Sequence, residues 1–238
     1  MPTLNNLVPT PVQNHLIQSL PDDLRNRLLS LCDTVELTFG STLCEPEKPF
    51  QYVYFPITAF ISLVTTLRDH QPLEMGLVGN EGMLGATLAL GINSAQMLAI
   101  VQGSGTALRI NAEQLRQELR ESPALMRACN RYLFVLMTQL AQAAACAHFH
   151  EIQPRVARWL LMIHDRAHSD NIYLTQEFLA HMLGVRRSTI TVAAGALQKR
   201  NLITYSRGTI TILDRKSLER ASCECYDALI KHYRQIFE

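Results

Sequence analysis

Arg186 and Arg187 open the stretch GVRRSTITVAAGALQKR, residues 184–200, in which no acidic side chain occurs. A guanidinium keeps its charge at physiological pH. Its planar fork of donors matches a phosphate or the paired acceptors of a guanine edge. Ser188 and Thr191 add short hydrogen-bonding groups within the next turn. Ile190, Ala193, Ala194 and Leu197 recur at i, i+3, i+4 and i+7, the period of one buried helix face. The opposite side then offers Arg187, Ser188, Thr191, Gly195 and Gln198. That is a surface for recognising a polyanion, not for making or breaking bonds.

A helix of this kind needs a support that fixes its angle, and the preceding LTQEFLAHMLG supplies one. Thr175 is a good N-cap. Phe178, Leu179, Met182 and Leu183 form an apolar face, and Ala180 is small where a second helix approaches. Gly184 suits the left-handed residue that ends a helix, Val185 plugs the turn, and Arg187 or Ser188 starts the next helix. Two helices joined by so short a turn predict a helix-turn-helix, whose second helix lies in the DNA major groove. LITYS and TITIL then predict two strands turning at Arg207-Gly208, a wing. On this reading Arg187, Ser188, Thr191 and Arg186 contact bases, while Thr175, Gln176, Lys199, Arg200 and Arg207 contact phosphates.

The charge distribution agrees. Residues 1–150 hold 9 Lys and Arg against 12 Asp and Glu; residues 151–238 hold 13 against 9. Between 184 and 216 the bases are Arg186, Arg187, Lys199, Arg200, Arg207, Arg215 and Lys216, and the only acid is Asp214. A basic patch on a nearly neutral chain points to a polyanion partner.

The 238 residues, 47% hydrophobic and 18% charged, describe a core-forming chain of one large or two modest domains. No secretory leader and no apolar run of the ~18 residues a span requires are visible, so a cytoplasmic protein without a membrane partner is expected. The cysteines Cys32, Cys44, Cys129, Cys146, Cys223 and Cys225 are scattered and read as reduced, buried thiols.

Residues 11–32 read as helices, the second opening at Pro21-Asp22-Asp23. VELTF, YVYFPITAFISLVTTL, LEMGLV, QMLAIV and GTALRI predict short strands of an antiparallel roll. A long helix from about Ala124 to His148 carries two apolar seams. One runs Leu125, Cys129, Tyr132, Leu136, Gln139, Ala143 and Cys146, and is expected at a homodimer interface. The other runs Met126, Leu133, Met137, Leu140, Ala144 and Ala147. The fold class is α+β: a roll domain over 1–122, a dimerisation helix and hinge over 123–152, and a winged helix-turn-helix with a final helix over 153–238. The hinge falls near His150–Pro154.

The motifs LTQEFLAHMLGVRRSTI, LQKRNLI and RGTITI, with YVYFPITAFISLVTTL and GLVGNEGMLGATLALG in the roll, resemble the cyclic AMP receptor protein/fumarate-nitrate regulator (Crp/Fnr) family over nearly the whole chain. The resemblance implies a homodimeric transcription regulator, a cyclic-nucleotide-binding-like roll, a roughly palindromic DNA site, and RNA polymerase as a further partner. Arg187 matches the family's base-reading arginine. Ser188 stands where many members have glutamate and Val192 where several have a second arginine, so a different operator is expected. Ala86 occupies the position of the ribose-binding glutamate, Ala95-Gln96 that of the phosphate-binding Arg-Ser pair, and no arginine lies between Arg68 and Arg109. Ordinary cyclic AMP binding is therefore not expected, nor any cofactor. Glu81 reads as a turn residue.

Several other groupings have ligand chemistry. Cys32 and Cys44 are too few for a four-thiolate cluster. His164 and His168 have the spacing of a two-histidine metal face but lack a third ligand. Cys146, His148, His150 and Met137 are haem-ligand types on or near the long helix. Cys223-Glu224-Cys225, read as helical, would point its thiols apart and chelate poorly. No phosphate loop, Ser/His/Asp set or carboxylate pair suggests an enzyme. The competing reading is a small-molecule sensor whose C-terminal domain docks onto a protein.

Overall fold

The computed structural model describes residues 14–68, 70, 72–167 and 169–237. Residues 11–13 of the expected first helix, and His168, lie outside the described residues. Helix α1 (His15–Gln18) is capped by Asn14, whose Oδ1 accepts the Ile17 amide. The same side chain donates to the Pro56 carbonyl at 3.0 Å and the Gly82 carbonyl at 2.7 Å, tying the helix to the roll. Helix α2 (Asp22–Ser30) opens after Pro21, with two acids in its positive first turn.

Seven strands follow: β1 (Asp33–Leu37), β2 (Thr42–Cys44), β3 (Tyr52–Pro56), β4 (Phe60–Thr65), β5 (Leu73–Val78), β6 (Leu98–Gly103) and β7 (Gly105–Asn111). They form two antiparallel sheets, β1-β7-β3 and β2-β6-β4-β5. β2 was not anticipated, because three residues carry too little alternation to read. β4 shows why a strand can lose its alternation altogether. Ile61 and Leu63 enter the roll core, while Phe60 and Val64 join a second core with Leu77 on the sheet's outer face. Both faces of this strand are covered.

Helix α3 (Ala112–Glu121) leads to α4 (Pro123–Phe149), which starts with a Ser122 cap and Pro at its first position. By length and composition alone, α4 is long and apolar enough to cross a membrane. Here it packs along the roll. The seam expected at the homodimer interface faces inward: Leu125, Cys129, Tyr132, Gln139 and Cys146 are buried within the chain, and Leu136 and Ala143 half-buried. The Gln139 amide donates to the Leu77 carbonyl at 3.3 Å. The reason is proximity. The roll is covalently present beside α4, and the more continuous apolar seam is buried against it. Phe134 and Met137, 54% and 66% exposed, mark the face left open.

After His150, in extended backbone, come α5 (Ile152–Ala167), β8 (Asn171–Tyr173), α6 (Gln176–Leu183), α7 (Arg187–Lys199), β9 (Ile203–Ser206), β10 (Thr209–Ile212), α8 (Arg215–Ala221) and α9 (Cys225–Phe237). The wing has a third strand, in the order β8-β10-β9. The single final helix expected from Lys216 is two helices, interrupted at 222–224. Val156, Trp159, Leu160 and Ile163 of α5 centre the second core.

That core includes polar ties across to the roll. Trp159 donates to Glu74 Oε1 at 2.8 Å, and Ser62 donates to Oε2 at 2.6 Å. The Arg166 guanidinium meets Glu81 at 2.5 Å, both side chains about nine-tenths buried. Glu81 lies in a turn, as expected, and is also the buried partner of a charge 85 residues away. The glycines around it make room. A Cβ on Gly79 would lie 2.6 Å from the Glu81 carboxylate, and one on Gly82 would overlap the Tyr132 ring.

Burial pushes the Glu74 carboxyl up to about 7, against the hydrogen bonds from Ser62 and Trp159 and the charges of Arg158 and Arg166. The folded state therefore holds a proton that the unfolded chain releases near 4.5. Stability from this group is greatest below that pH and falls by about 3 kcal/mol as the pH climbs to neutrality. Glu74→Gln is expected to flatten the fall in Tm between about pH 5 and pH 7; an unchanged profile would contradict the buried carboxyl. Arg166→Met alone should cost about 3–5 kcal/mol by stranding Glu81, and adding Glu81→Leu should restore most of it. Denaturant titrations showing simple addition of the two losses would refute the pairing.

Candidate nucleic-acid interface

Thr175 Oγ1 accepts the Phe178 amide at 3.1 Å and starts α6 as expected. Gly184, at φ 64°, ends it in the left-handed region, and the Val185 amide returns to the Ala180 carbonyl at 3.0 Å. This compact closure sets α7 across α6. Ile190, Ala193, Ala194 and Leu197 are at most 3% exposed, and α7 packs on α5, α6 and β9. Their burial fixes the outward face. Arg186, Arg187, Ser188, Thr191 and Val192 all lie exposed, Val192 at 74%. No side chain caps the start of α7, where Arg186 and Arg187 stand beside the positive end of the helix dipole.

Not every expected group is free. The Thr191 hydroxyl lies 2.7 Å from Gln176 Oε1 and 3.1 Å from the Arg187 carbonyl, so one base candidate and one phosphate candidate are tied together. The Gln176 backbone N–H donates to the Tyr205 hydroxyl at 3.1 Å, which in turn donates to the Leu174 carbonyl. Tyr205, on β9, thereby locks the wing to the start of α6. Sequence reasoning missed it; its one signal was an aromatic residue in a short strand.

Lys199 and Arg200 are exposed at the far end of α7, about 18 Å from Arg187 along the axis. Arg207 is exposed at the wing tip, in the left-handed region at φ 49°. The cations therefore bracket the exposed face without clustering on it. Arg215 is engaged elsewhere, pairing with Asp165 at 2.6 Å and Glu219 at 3.0 Å.

Within the roll, Ala86 and Ala95 are buried and Gln96 is exposed. They border a cavity of about 60 Å³ lined largely by Phe50, Leu63, Val78, Met83 and Met97. Drug-sized ligands occupy roughly 300 Å³ or more. A second cavity, of about 460 Å³, lies where α4, α5 and α9 meet, beside Glu81, Arg166, Tyr226 and Tyr233. The Tyr132 hydroxyl is buried on its wall.

Of the metal-ligand types, both ring nitrogens of His164 are engaged, by Asp170 at 2.7 Å and by Arg215. His148 and Met137 are exposed on α4, and Cys32 and Cys44 remain half-buried free thiols. Cys146, His150, Cys223 and Cys225 are brought together, their donor atoms within 4.8 Å of one another.

Residues 154–221 match the Crp-like helix-turn-helix domain. No curated protein sequence matches the chain. Among solved structures, a putative transcriptional regulator of the Crp/Fnr family from Eubacterium rectale superposes with a TM-score of 0.68 at 18% identity, covering 88% of this chain and 99% of that one. FixK2 from Bradyrhizobium japonicum gives 0.68 at 14%, covering 81% and 98%. The c-di-GMP responsive global regulator CLP of Xanthomonas campestris gives 0.65 at 16%, covering 81% and 99%. At these identities the likeness is one of fold. The C-terminal part of the chain is thus a Crp-like helix-turn-helix domain, set in the overall fold of the Crp/Fnr transcription regulators.

Proposed function

We propose that the chain binds double-stranded DNA as a homodimer and regulates transcription in the cytoplasm, with RNA polymerase as a further partner and no catalytic step of its own. The observation that carries this reading is the outward face of α7. Arg186, Arg187 and Ser188 project from an uncapped helix start whose inner side is wholly buried. Arg187 reads a guanine edge, Ser188 gives a short hydrogen bond, and Val192 offers its methyl groups to thymine. Thr191 holds Gln176 in place and reads a base only by leaving it. Thr175, Lys199, Arg200 and Arg207 meet the backbone on either side.

The face for a second copy is the one the roll leaves open. Phe134, Met137, Ala141, Ala144 and His148 follow one another at 3- and 4-residue steps and are all exposed on α4. Pairing along it sets two recognition helices about one DNA turn apart, roughly 34 Å. The small apolar roll cavity supports a scaffold role over a nucleotide site. An effector at the α4–α5–α9 cavity would act by shifting the balance between arrangements of roll and DNA domain.

Arg187→Ala is expected to weaken the specific site by about 1–3 kcal/mol while leaving random-sequence binding nearly intact, read by fluorescence anisotropy on both duplexes. Equal losses would make Arg187 a phosphate contact, and no binding to any duplex would favour docking onto a protein. Phe134→Glu with Met137→Glu should convert dimer to monomer in sedimentation equilibrium without loss of helical circular dichroism. A dimer that survives both changes would place the interface elsewhere.

A further inference from the structure

Three thiols and an imidazole converge at a point the DNA-binding surface does not use. Cys146 comes from the last turn of α4, His150 from the break before α5, Cys223 from the α8–α9 connection, and Cys225 from the first position of α9. Cys223 is not helical, so the two thiols of the Cys-x-Cys pair are free to point at one centre; the expectation of divergent directions along one helix fails for that reason. The three sulfurs are buried and His150 is half-buried, which leaves a way in from solvent.

The spacing is that of a coordination sphere. Cys146 Sγ and Cys223 Sγ are 3.6 Å apart, and Cys225 Sγ is 3.4 Å from His150 Nδ1. A tetrahedral zinc with bonds of about 2.3 Å to sulfur and 2.0 Å to nitrogen needs sulfurs about 3.8 Å apart and sulfur–nitrogen pairs about 3.5 Å apart. A disulfide would need about 2.05 Å. A four-iron cube would hold its thiolates farther apart than a single ion does. We propose that Cys146, His150, Cys223 and Cys225 bind one tetrahedral divalent ion of the zinc type, clasping α9 and the α8–α9 turn to the end of α4.

The surroundings suit such an ion. His150 Nε2 lies 3.1 Å from Glu224 Oε1, so the carboxylate orients the ring and leaves Nδ1 for the metal. The Gln142 amide donates to Cys225 Sγ at 2.9 Å. Three thiolates and one dication leave a net charge of −1, and the Arg158 charge acts on the cluster from α5. A site assembled from sequence positions 77 residues apart forms only in the folded chain, so ion binding stabilises the fold.

The test uses the full chain, reduced and handled without oxygen, with no DNA present, so its outcome is separate from that of the DNA-binding reading. Titration with Co(II) should give thiolate charge-transfer and tetrahedral ligand-field bands that saturate at one equivalent, and Zn(II) should abolish them stoichiometrically. Cys146→Ser or His150→Ala should remove the bands, whereas Cys32→Ser with Cys44→Ser should not. Glu224→Gln, which leaves every ligand in place, should weaken Zn(II) binding about 10- to 100-fold. Wild-type protein that takes up no Co(II), bands that survive Cys146→Ser with Cys223→Ser, a Cys146–Cys223 disulfide formed despite reductant, or iron with acid-labile sulfide in place of one ion would each overturn the proposal. The wild-type titration decides the matter even where a variant fails to fold.

Discussion

Arg166 enters the interface between the two halves of the molecule and meets Glu81 there, with both charges almost out of water. Removing either would leave the other stranded, at a cost of several kcal/mol, so the two must arrive together. Such a pair adds little to net stability when compared with apolar residues of the same size. Its effect is on geometry. Together with Trp159 on Glu74, it allows α5 one seat on the roll, and the direction of α7 follows from that of α5. Gly79 and Gly82 are the backbone's concession to that seat, since a methyl at either would displace Arg166 or Tyr132.

The same junction explains why α4 carries more apolar surface than one partner can cover. Its inner seam closes the roll through Leu125, Cys129 and Tyr132, and its outer side shows Phe134 and Met137 to solvent. A helix that is apolar on two sides has to bury both. The roll accounts for one side, and a second copy of the chain is the natural cover for the other. On that view the helix both organises the monomer and sets the distance between two reading helices.

The helix-turn-helix was legible in the sequence because everything that specifies it is local. Thr175, Gly184 and the Ile190, Ala193, Ala194, Leu197 stripe lie within about thirty residues, and each acts on near neighbours. The roll's strands were readable where β-branched and aromatic residues ran for five residues or more; β2 in the roll and β8 in the wing, at three residues each, were not. What escaped was whatever depends on distant partners. Which seam of α4 faces inward is decided by Leu77, 62 residues away from Gln139. Glu81 was readable as a turn residue but not as an ion-pair partner, because Arg166 lies 85 residues on. Thr191 and Gln176 each suit DNA by type, but only the fold shows them bonded to each other. The Cys-x-Cys pair misled for a related reason: nothing nearby announces the break at 222–224 that turns its thiols together.

The central claim is that the exposed side of α7, flanked by Lys199, Arg200 and Arg207, meets the phosphates and bases of a duplex. The salt dependence of binding to a random-sequence duplex tests it most directly, since each neutralised phosphate contributes about −0.9 to the slope of log Kobs against log salt. Three backbone cations on each of two chains predict a slope of about −5. A slope near zero, or no binding at low salt, would contradict the account.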